Sequence, residues 1–398
     1  MRDQIEGSQA VAAAVGLCRP QVICAYPITP QTHIVEALGL RVRRGDLAPC
    51  EFINVESEFA AMSVAIGASA AGSRAYTATA SQGLLYMAEA VYNAAGLGLP
   101  LVMTVANRAI GAPINIWNDH SDSMALRDAG WIQLYAADNQ EAVDLHIQAF
   151  RLAETLSVPV MVCVDGFTLT HAVEEIDVPD QAHVDAFLPS FAPRQQLDPD
   201  APETIGAMVG PEAFTEVRFL AHHRLRQALA LIPVIAAEFA DVFGRRRGGL
   251  IESYRMDDAE TAVVIQGSAS GTLCDVIDVL RDEGIRIGAL TVTTFRPFPL
   301  QQVTAALSSA QRVVVIDRAL STGSGGFLAA DIGPALAPHT PWHSVIAGLG
   351  GRPVTQGALR HCLGEAVAGT LDELTFLDLD MGVVQQELLS LGLDLQGR

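Results

Sequence analysis

The chain has 398 residues, half of them hydrophobic and 6% aromatic, with a formal net charge of -20 at pH 7; that length predicts two or three domains, each with its own core. The acidic balance argues against nucleic acid as a partner, because phosphate binding needs a basic face. All 25 basic residues are arginine, which excludes a pyridoxal Schiff base or a P-loop lysine and leaves arginine, backbone N–H groups and hydroxyls to hold any anionic substrate.

The N-terminal stretch M-R-D-Q-I-E-G-S-Q-A carries two acids and lacks an apolar core, so it does not read as a signal peptide. Residues 7–17 predict an opening helix with Ser8 at its N-cap. A short apolar strand, 22–25, runs into Y-P-I-T-P at 26–30, where two prolines three apart exclude a regular strand or helix interior. A stiff loop at a strand's carboxyl end is the expectation, with a helix over 31–40 behind it. Ligands of open α/β sheets bind at that edge, so Thr29 is either a site hydroxyl or a cap for the helix.

Residues 50–55 form the next strand and lead into N-V-E-S-E-F-A-A-M-S-V-A-I-G-A-S-A-A-G at 54–72. No charged residue follows Glu58 until Arg74, as suits a buried helix packed closely by its neighbours. Glu56 and Glu58 stand at its head, either interacting with the helix dipole or facing a half-buried cofactor.

A strand at 74–78 ends in the small polar loop T-A-S-Q-G, followed by a helix over 84–95. The strand at 99–106 is apolar throughout, like a central parallel strand, and exits into N-R-A-I-G-A-P at 107–113. Arg108 is thereby predicted at the same edge as Thr29 and Ser81, as a surface arginine or as a planar cation able to grip a carboxylate through two hydrogen bonds. In N-D-H-S-D at 118–122, His120 beside two aspartates reads as a hydrogen-bonded loop or a weak metal signal. Strands at 131–136 and 158–164 flank a helix over 140–155, and D-G-F at 165–167 ends the last strand. Alternating strands and helices over residues 1–175 mean a doubly wound parallel sheet.

Five prolines punctuate residues 174–206, an expected extended linker. Residues 211–244 are helical in pattern with a break at Pro233, and His222 and His223 read as solvated. This linker and helical connection spans 176–258. A second α/β unit fills 259–398, with strands at 261–266, 286–294 and 312–316. Its glycine loops G-S-A-S-G and S-T-G-S-G-G read as ordinary strand-to-helix turns or as anion cradles built of backbone N–H groups.

Taken together, Y-P-I-T-P, E-S-E-F-A-A at 56–61, A-S-Q-G at 80–83, N-R-A-I-G-A-P, N-D-H-S-D, D-G-F-T-L-T-H at 165–171, G-A-M-V-G-P-E at 206–212 and F-R-P-F-P at 295–299 closely resemble the alpha subunit of the thiamine-diphosphate-dependent 2-oxoacid:ferredoxin oxidoreductases, the pyruvate enzymes above all. The likeness covers nearly the whole chain. It implies a pyrimidine-binding domain followed by a transketolase C-terminal-like domain. It further implies that Glu58 meets N1′ of the thiamine aminopyrimidine, favouring the imino tautomer whose N4′ takes the C2 proton. Thr29 and Arg108 would hold the 2-oxo acid, and Ser81 and Gln82 would contact the cofactor. Glu56, two residues away, would face elsewhere.

The six cysteines form no C-x-x-C pair, so there is no iron–sulfur or zinc run, and they read as reduced, buried thiols of a cytoplasmic protein. There is no G-D-G motif for a diphosphate and its Mg²⁺. The resemblance therefore implies a beta subunit that anchors the diphosphate and Mg²⁺ and completes the active site. It also implies [4Fe-4S] clusters on partners only, gamma- and delta-type subunits or domains, coenzyme A as co-substrate and ferredoxin as electron carrier. The expected reaction is oxidative decarboxylation of pyruvate or its reverse. The alternatives are the same chemistry on branched-chain 2-oxo acids, 2-oxoglutarate or indolepyruvate, and a non-catalytic scaffold. No run approaches the roughly 20 apolar residues of a membrane span.

Overall fold

The computed structural model describes residues 2–393. Its first elements are β1 (Arg2–Glu6), α1 (Gly7–Leu17), β2 (Val22–Ala25), α2 (Thr32–Arg44), β3 (Glu51–Asn54), α3 (Glu58–Ala70), β4 (Ala75–Thr79), α4 (Ser81–Tyr86), α5 (Ala88–Leu97), β5 (Val102–Asn107), α6 (Ser121–Ala125), β6 (Ile132–Tyr135), α7 (Asn139–Leu156), β7 (Val160–Asp165) and β8 (Val173–Asp177). After α8 (Gln181–Phe187) and α9 (Phe214–Phe243) come β9 (Ile251–Tyr254), β10 (Thr261–Ile265), α10 (Ala269–Asp282), β11 (Ile287–Val292), β12 (Thr294–Arg296), α11 (Leu300–Leu307), β13 (Arg312–Asp317), α12 (Phe327–Ile332), β14 (Trp342–Ile346), α13 (Gln356–Ala368), β15 (Leu374–Phe376) and α14 (Met381–Ser390).

The larger sheet has seven strands in the order β12-β6-β7-β5-β4-β2-β3, parallel except for β12. The chain passes from β2 outward to β3 and then returns to the other side of β2 with β4. The switch point therefore lies between β2 and β4, the crevice where open sheets bind ligands. β4, β5 and β7 are buried at every residue, as helices on both faces require. The second sheet runs β15-β14-β13-β10-β11-β9, with β9 antiparallel, and β1 and β8 form a separate antiparallel pair.

Three apolar layers hold these sheets. One face of the large sheet packs on α1, α2, α7, α8 and α9 through residues such as Ile34, Phe150 and Phe239. Its other face shares a single core with the second sheet, where Met62, Leu84, Met103 and Trp131 meet Val264, Leu290, Phe295 and Leu328. The far face of the second sheet is covered by α10 and α13, through Leu273, Ile277, Leu359 and Leu363.

Five local expectations are corrected by tertiary contacts. Ser8 does not cap α1: Glu6 occupies the cap position, and the Ser8 hydroxyl donates to the Thr170 carbonyl at 2.7 Å. The helix expected over 84–95 is two, parted at Met87, whose φ/ψ of -90/8 is not helical. Residues 174–206 are not one extended stretch, because they contain the end of β8 and all of α8. Pro233 does not break α9, which runs 30 residues without interruption. The lost N–H and ring clash cost about 3 kcal/mol, and burial of Ile232, Ile235, Ala236 and Phe239 around the proline offsets that. Finally, the strand expected over 286–294 stops at Val292, and the chain crosses to the other sheet as β12, antiparallel to β6. Phe295 in the shared core and a Tyr135 N–H bond to the Thr293 carbonyl hold it there.

Candidate active site

Four loops meet at the carboxyl edge between β2 and β4. Thr29 leaves β2 on the Y-P-I-T-P loop and is exposed. It does not cap α2, whose N-cap is Gln31, and its hydroxyl has no hydrogen-bond partner among the described residues. Its carbonyl accepts from Arg108 Nη1 at 2.9 Å. Arg108, from the end of β5, is 6% exposed and also donates through Nε to the Asn115 carbonyl at 3.2 Å. The guanidinium has no carboxylate partner among the described residues. A buried guanidinium bound by carbonyls alone keeps its charge uncompensated and is disposed to accept an anion. Burial lowers the Arg108 pKa, with Asp122 acting in the opposite direction.

Asp122 is the hub of this edge. One carboxylate oxygen accepts the Ser81 N–H (2.8 Å) and the Arg108 N–H (3.0 Å), and the other accepts from Asn107 Nδ2 and Ser123 N (2.8 Å each). Complete burial pushes its pKa up to about 6 against those four hydrogen bonds. Ser81 is itself fully buried with φ of 50°, a left-handed conformation that L side chains rarely adopt and that surrounding contacts must impose. Its hydroxyl lies within hydrogen-bond reach of the Ala109 carbonyl and of Gln82 Oε1. Ser81, Gln82 and Arg108 are thus tied into one constellation.

Glu58 opens α3. Ser57 is the N-cap, its hydroxyl accepting from Ala60 N–H at 3.2 Å, which leaves Glu56 outside the helix and exposed. Glu58 is 8% exposed, and its carboxylate has no hydrogen-bond partner among the described residues. It lies against Gly83: a Cβ there would stand 2.7 Å from Glu58 Oε1 and 2.6 Å from Thr79 Oγ1. Thr79 Oγ1 is buried without a partner among the described residues. An unsatisfied buried hydroxyl costs stability, so with the unpaired Glu58 carboxylate beside it a polar group supplied from outside the chain is the natural complement of this cradle. Its glycine leaves backbone-close space that any side chain would fill.

The N-D-H-S-D and D-G-F segments do different work. His120 Nε2 pairs with Asp165 Oδ1 at 2.7 Å, and both are about 1% exposed. The other Asp165 oxygen accepts the Ser268 N–H, the Ser268 hydroxyl and Arg318 Nη1, while Arg318 Nη2 donates to Asn118 Oδ1 at 2.6 Å. Burial acts to raise the Asp165 pKa, but the Arg318 guanidinium and His120 hold it well below the usual carboxylate range. His120 Nε2 and the carboxylate oxygens of Asp119, Asp122 and Asp165 are engaged by hydrogen bonds, as the loop reading of 118–122 expects. The first glycine loop does bind an anion through its backbone, and that anion is Asp165 of the same chain. At the second, Asp317 accepts the N–H groups of Leu328 and Ala329 at the start of α12. Asn107 and Arg318 were not singled out by sequence reasoning, their only signal being a position at or just beyond a strand end; Asp122 was read only as one of the two aspartates beside His120, not as the residue that ties Ser81 to Arg108.

Residues 13–234 match the family described as pyruvate flavodoxin/ferredoxin oxidoreductase, thiamine diphosphate binding, and residues 259–358 match pyruvate:ferredoxin oxidoreductase core domain II. The chain belongs to this family of oxidoreductases. Within it, the chain is 47% identical to pyruvate synthase subunit PorA of Methanosarcina barkeri, covering 94% of this chain and 96% of that one. PorA of Thermotoga maritima is 43% identical, with 95% and 98% covered, and ketoisovalerate oxidoreductase subunit VorA of Pyrococcus abyssi is 39% identical, with 88% and 90% covered. In fold the chain is similar to a 2-oxoglutarate:ferredoxin oxidoreductase from Magnetococcus marinus (TM-score 0.70, 19% identity, 92% of this chain and 65% of that one). It is also similar to a split-gene transketolase (TM-score 0.53, 13% identity, 92% and 99% covered).

Proposed function

We propose that this chain is the alpha-type subunit of a pyruvate:ferredoxin oxidoreductase and supplies the pyrimidine side and the substrate-carboxylate side of a site that a beta-type partner completes. The observation that carries the proposal is the buried Glu58, whose carboxylate has no partner among the described residues, against Gly83 at the switch point of the sheet. This cradle fits an aminopyrimidine. When bound, thiamine diphosphate supplies the nucleophilic carbon and the electron sink for loss of CO₂. Glu58 holds a proton-bearing hydrogen bond to the pyrimidine ring nitrogen, strengthened by its exclusion from water. Arg108 binds the carboxylate of the 2-oxo acid, the Thr29 hydroxyl orients its carbonyl, and Ser81 with Gln82 fixes the floor of the crevice.

The chain has no G-D-G motif, so the diphosphate and Mg²⁺ belong to the beta-type subunit. Large apolar side chains at the site's edge, Tyr26, Phe59, Tyr86, Ile114 and Trp117, are exposed, as an interface awaiting a partner requires. Gamma- and delta-type subunits, their [4Fe-4S] clusters, coenzyme A and ferredoxin complete the reaction. Among the described residues no helix is long and apolar enough to cross a membrane, in keeping with the proposed cytoplasmic location. A second reading, a branched-chain 2-oxo acid as substrate, is favoured by the ketoisovalerate relative.

The test is coenzyme-A-dependent reduction of a viologen dye by the complex that co-purifies with the tagged chain, with pyruvate beside 2-oxoisovalerate, 2-oxoglutarate and indolepyruvate. Pyruvate is expected far ahead. Glu58→Gln in the same complex is expected to lower turnover by about 10²- to 10⁴-fold. Unchanged turnover would leave the chain as a scaffold.

A further inference from the structure

Behind the Y-P-I-T-P loop, three side chains distant in sequence converge. Glu6 ends β1, His33 lies in the first turn of α2, and His171 follows the D-G-F-T-L-T segment beyond β7. His33 Nδ1 stands 2.8 Å from Glu6 Oε1, and one ligand atom from each residue lies within 4.8 Å of the other two. The imidazole rings of His33 and His171 are 4.6 Å apart. The His33 and Glu6 side chains are 46% and 28% exposed, so an ion reaches them from solvent without opening the fold.

We propose that Glu6, His33 and His171 form a binding site for a divalent transition-metal ion of the zinc class. Two imidazoles and one carboxylate, with a position left for water, are a donor set that zinc takes up. Metal bonds of about 2.0–2.2 Å at tetrahedral angles place ligand atoms about 3.4 Å apart. Closing onto an ion therefore opens the Glu6–His33 pair slightly and draws the most distant ligand inward, a movement within side-chain reach. The outer shell is also present. Thr170 Oγ1 lies 2.8 Å from His171 Nδ1 and 2.8 Å from the Phe167 N–H. A hydroxyl on Nδ1 fixes the ring and leaves Nε2 for the metal.

The three ligands belong to segments already stitched together. The Gly7 N–H donates to the Ala172 carbonyl (3.0 Å) and the Ser8 N–H to the Thr170 carbonyl (2.9 Å), so the site is assembled before the ion arrives. Bound metal would pin the start of α2, four residues beyond Thr29, to the β1 and β7 segments. This inference does not depend on the proposed reaction.

The experiment is titration of the full chain with Zn²⁺ alone, followed calorimetrically in competition with a chelator, and with Co²⁺ as an absorbing substitute. One ion per chain is expected, with a Co²⁺ visible spectrum of low-coordinate nitrogen and oxygen ligation. His33→Ala/His171→Ala is expected to weaken binding by about 100-fold and to abolish that spectrum. His171→Gln alone and Thr170→Val are expected to weaken it by about 10-fold, the scale of an outer-shell loss for the latter. Metal-free thermal midpoints of all variants report folding. Failure of the unaltered chain to bind Zn²⁺ at micromolar concentration, or equal affinity in the folded double variant, would overturn the proposal.

Discussion

Arg108 shows how a buried cation acquires a role. It is held by two carbonyls, those of Thr29 and Asn115, and faces no carboxylate of its own among the described residues. Lysine keeps the charge but not the planar fork that grips a carboxylate through two bonds. Arg108→Lys is therefore expected to raise KM for pyruvate by about 10- to 100-fold, with kcat changed less, in steady-state assays of the assembled complex. A different kind of buried polar residue is His146. Tyr76 OH and Thr104 Oγ1 are 2.6 Å apart, as are Thr104 Oγ1 and His146 Nε2, and His146 Nδ1 donates to the Ala142 carbonyl at 2.6 Å. Each hydroxyl donates onward, so the chain is satisfied only with a neutral imidazole. Burial pushes the His146 pKa down to about 4, against the Ala142 bond. The unfolded chain then binds the extra proton first, so this contribution to stability is lost as pH falls from about 6.5 towards 4. Denaturation midpoints measured across that window should fall on the acid side, and His146→Gln should flatten the dependence.

Helix α9 is two helices in energetic terms. Its C-terminal half buries Phe239, which stacks on Phe243 at 4.2 Å and meets Phe187 edge-on at 5.5 Å. Its N-terminal half leaves Val217, Phe219 and Leu220 exposed. Phe239→Ala should cost about 3–5 kcal/mol, the range for deleting a buried aromatic, whereas Phe219→Ala should stay within about 0.5 kcal/mol. Urea midpoints of the two variants compare them directly. The same contrast explains why Pro233 sits inside the helix: packing on one face outweighs a local backbone fault that the pattern of the sequence reads as a stop.

Across the whole molecule, the two sheets are joined by the shared core, by β12 and by the His120–Asp165–Arg318 cluster. The Asp165 carboxyl is held well below its ordinary value by Arg318 and His120 despite its burial. Its stabilising contribution is thus fully present at neutral pH and is lost only as pH falls below the ordinary carboxylate value of 3.8. Arg318→Met would leave that charge short of its main partner, at a cost of about 3–5 kcal/mol. Chemical unfolding should then show a lower midpoint, or two transitions where the intact chain has one, and a weaker acid dependence below that value.

Much of the large sheet is readable from apolar runs punctuated by proline and glycine, because its central strands β4, β5 and β7 are buried on both faces, whereas the edge strand β3 is largely exposed. Y-P-I-T-P, E-S-E, A-S-Q-G and N-R could be placed at one edge from strand polarity alone. Glu56 and Glu58 were legible as the charges heading an otherwise uncharged helix, and it was the resemblance, not the pattern, that chose Glu58. What tertiary structure decided are the things that depend on partners remote in sequence. That Asp122 gathers the backbone of Ser81 and Arg108, that Asp165 occupies the first glycine loop, and that Thr294–Arg296 leaves one sheet for another are long-range choices. So is the meeting of Glu6, His33 and His171. Local pattern encodes which residues must be buried and where the chain must turn; which polar group satisfies which is settled only when distant segments compete for the same buried donors.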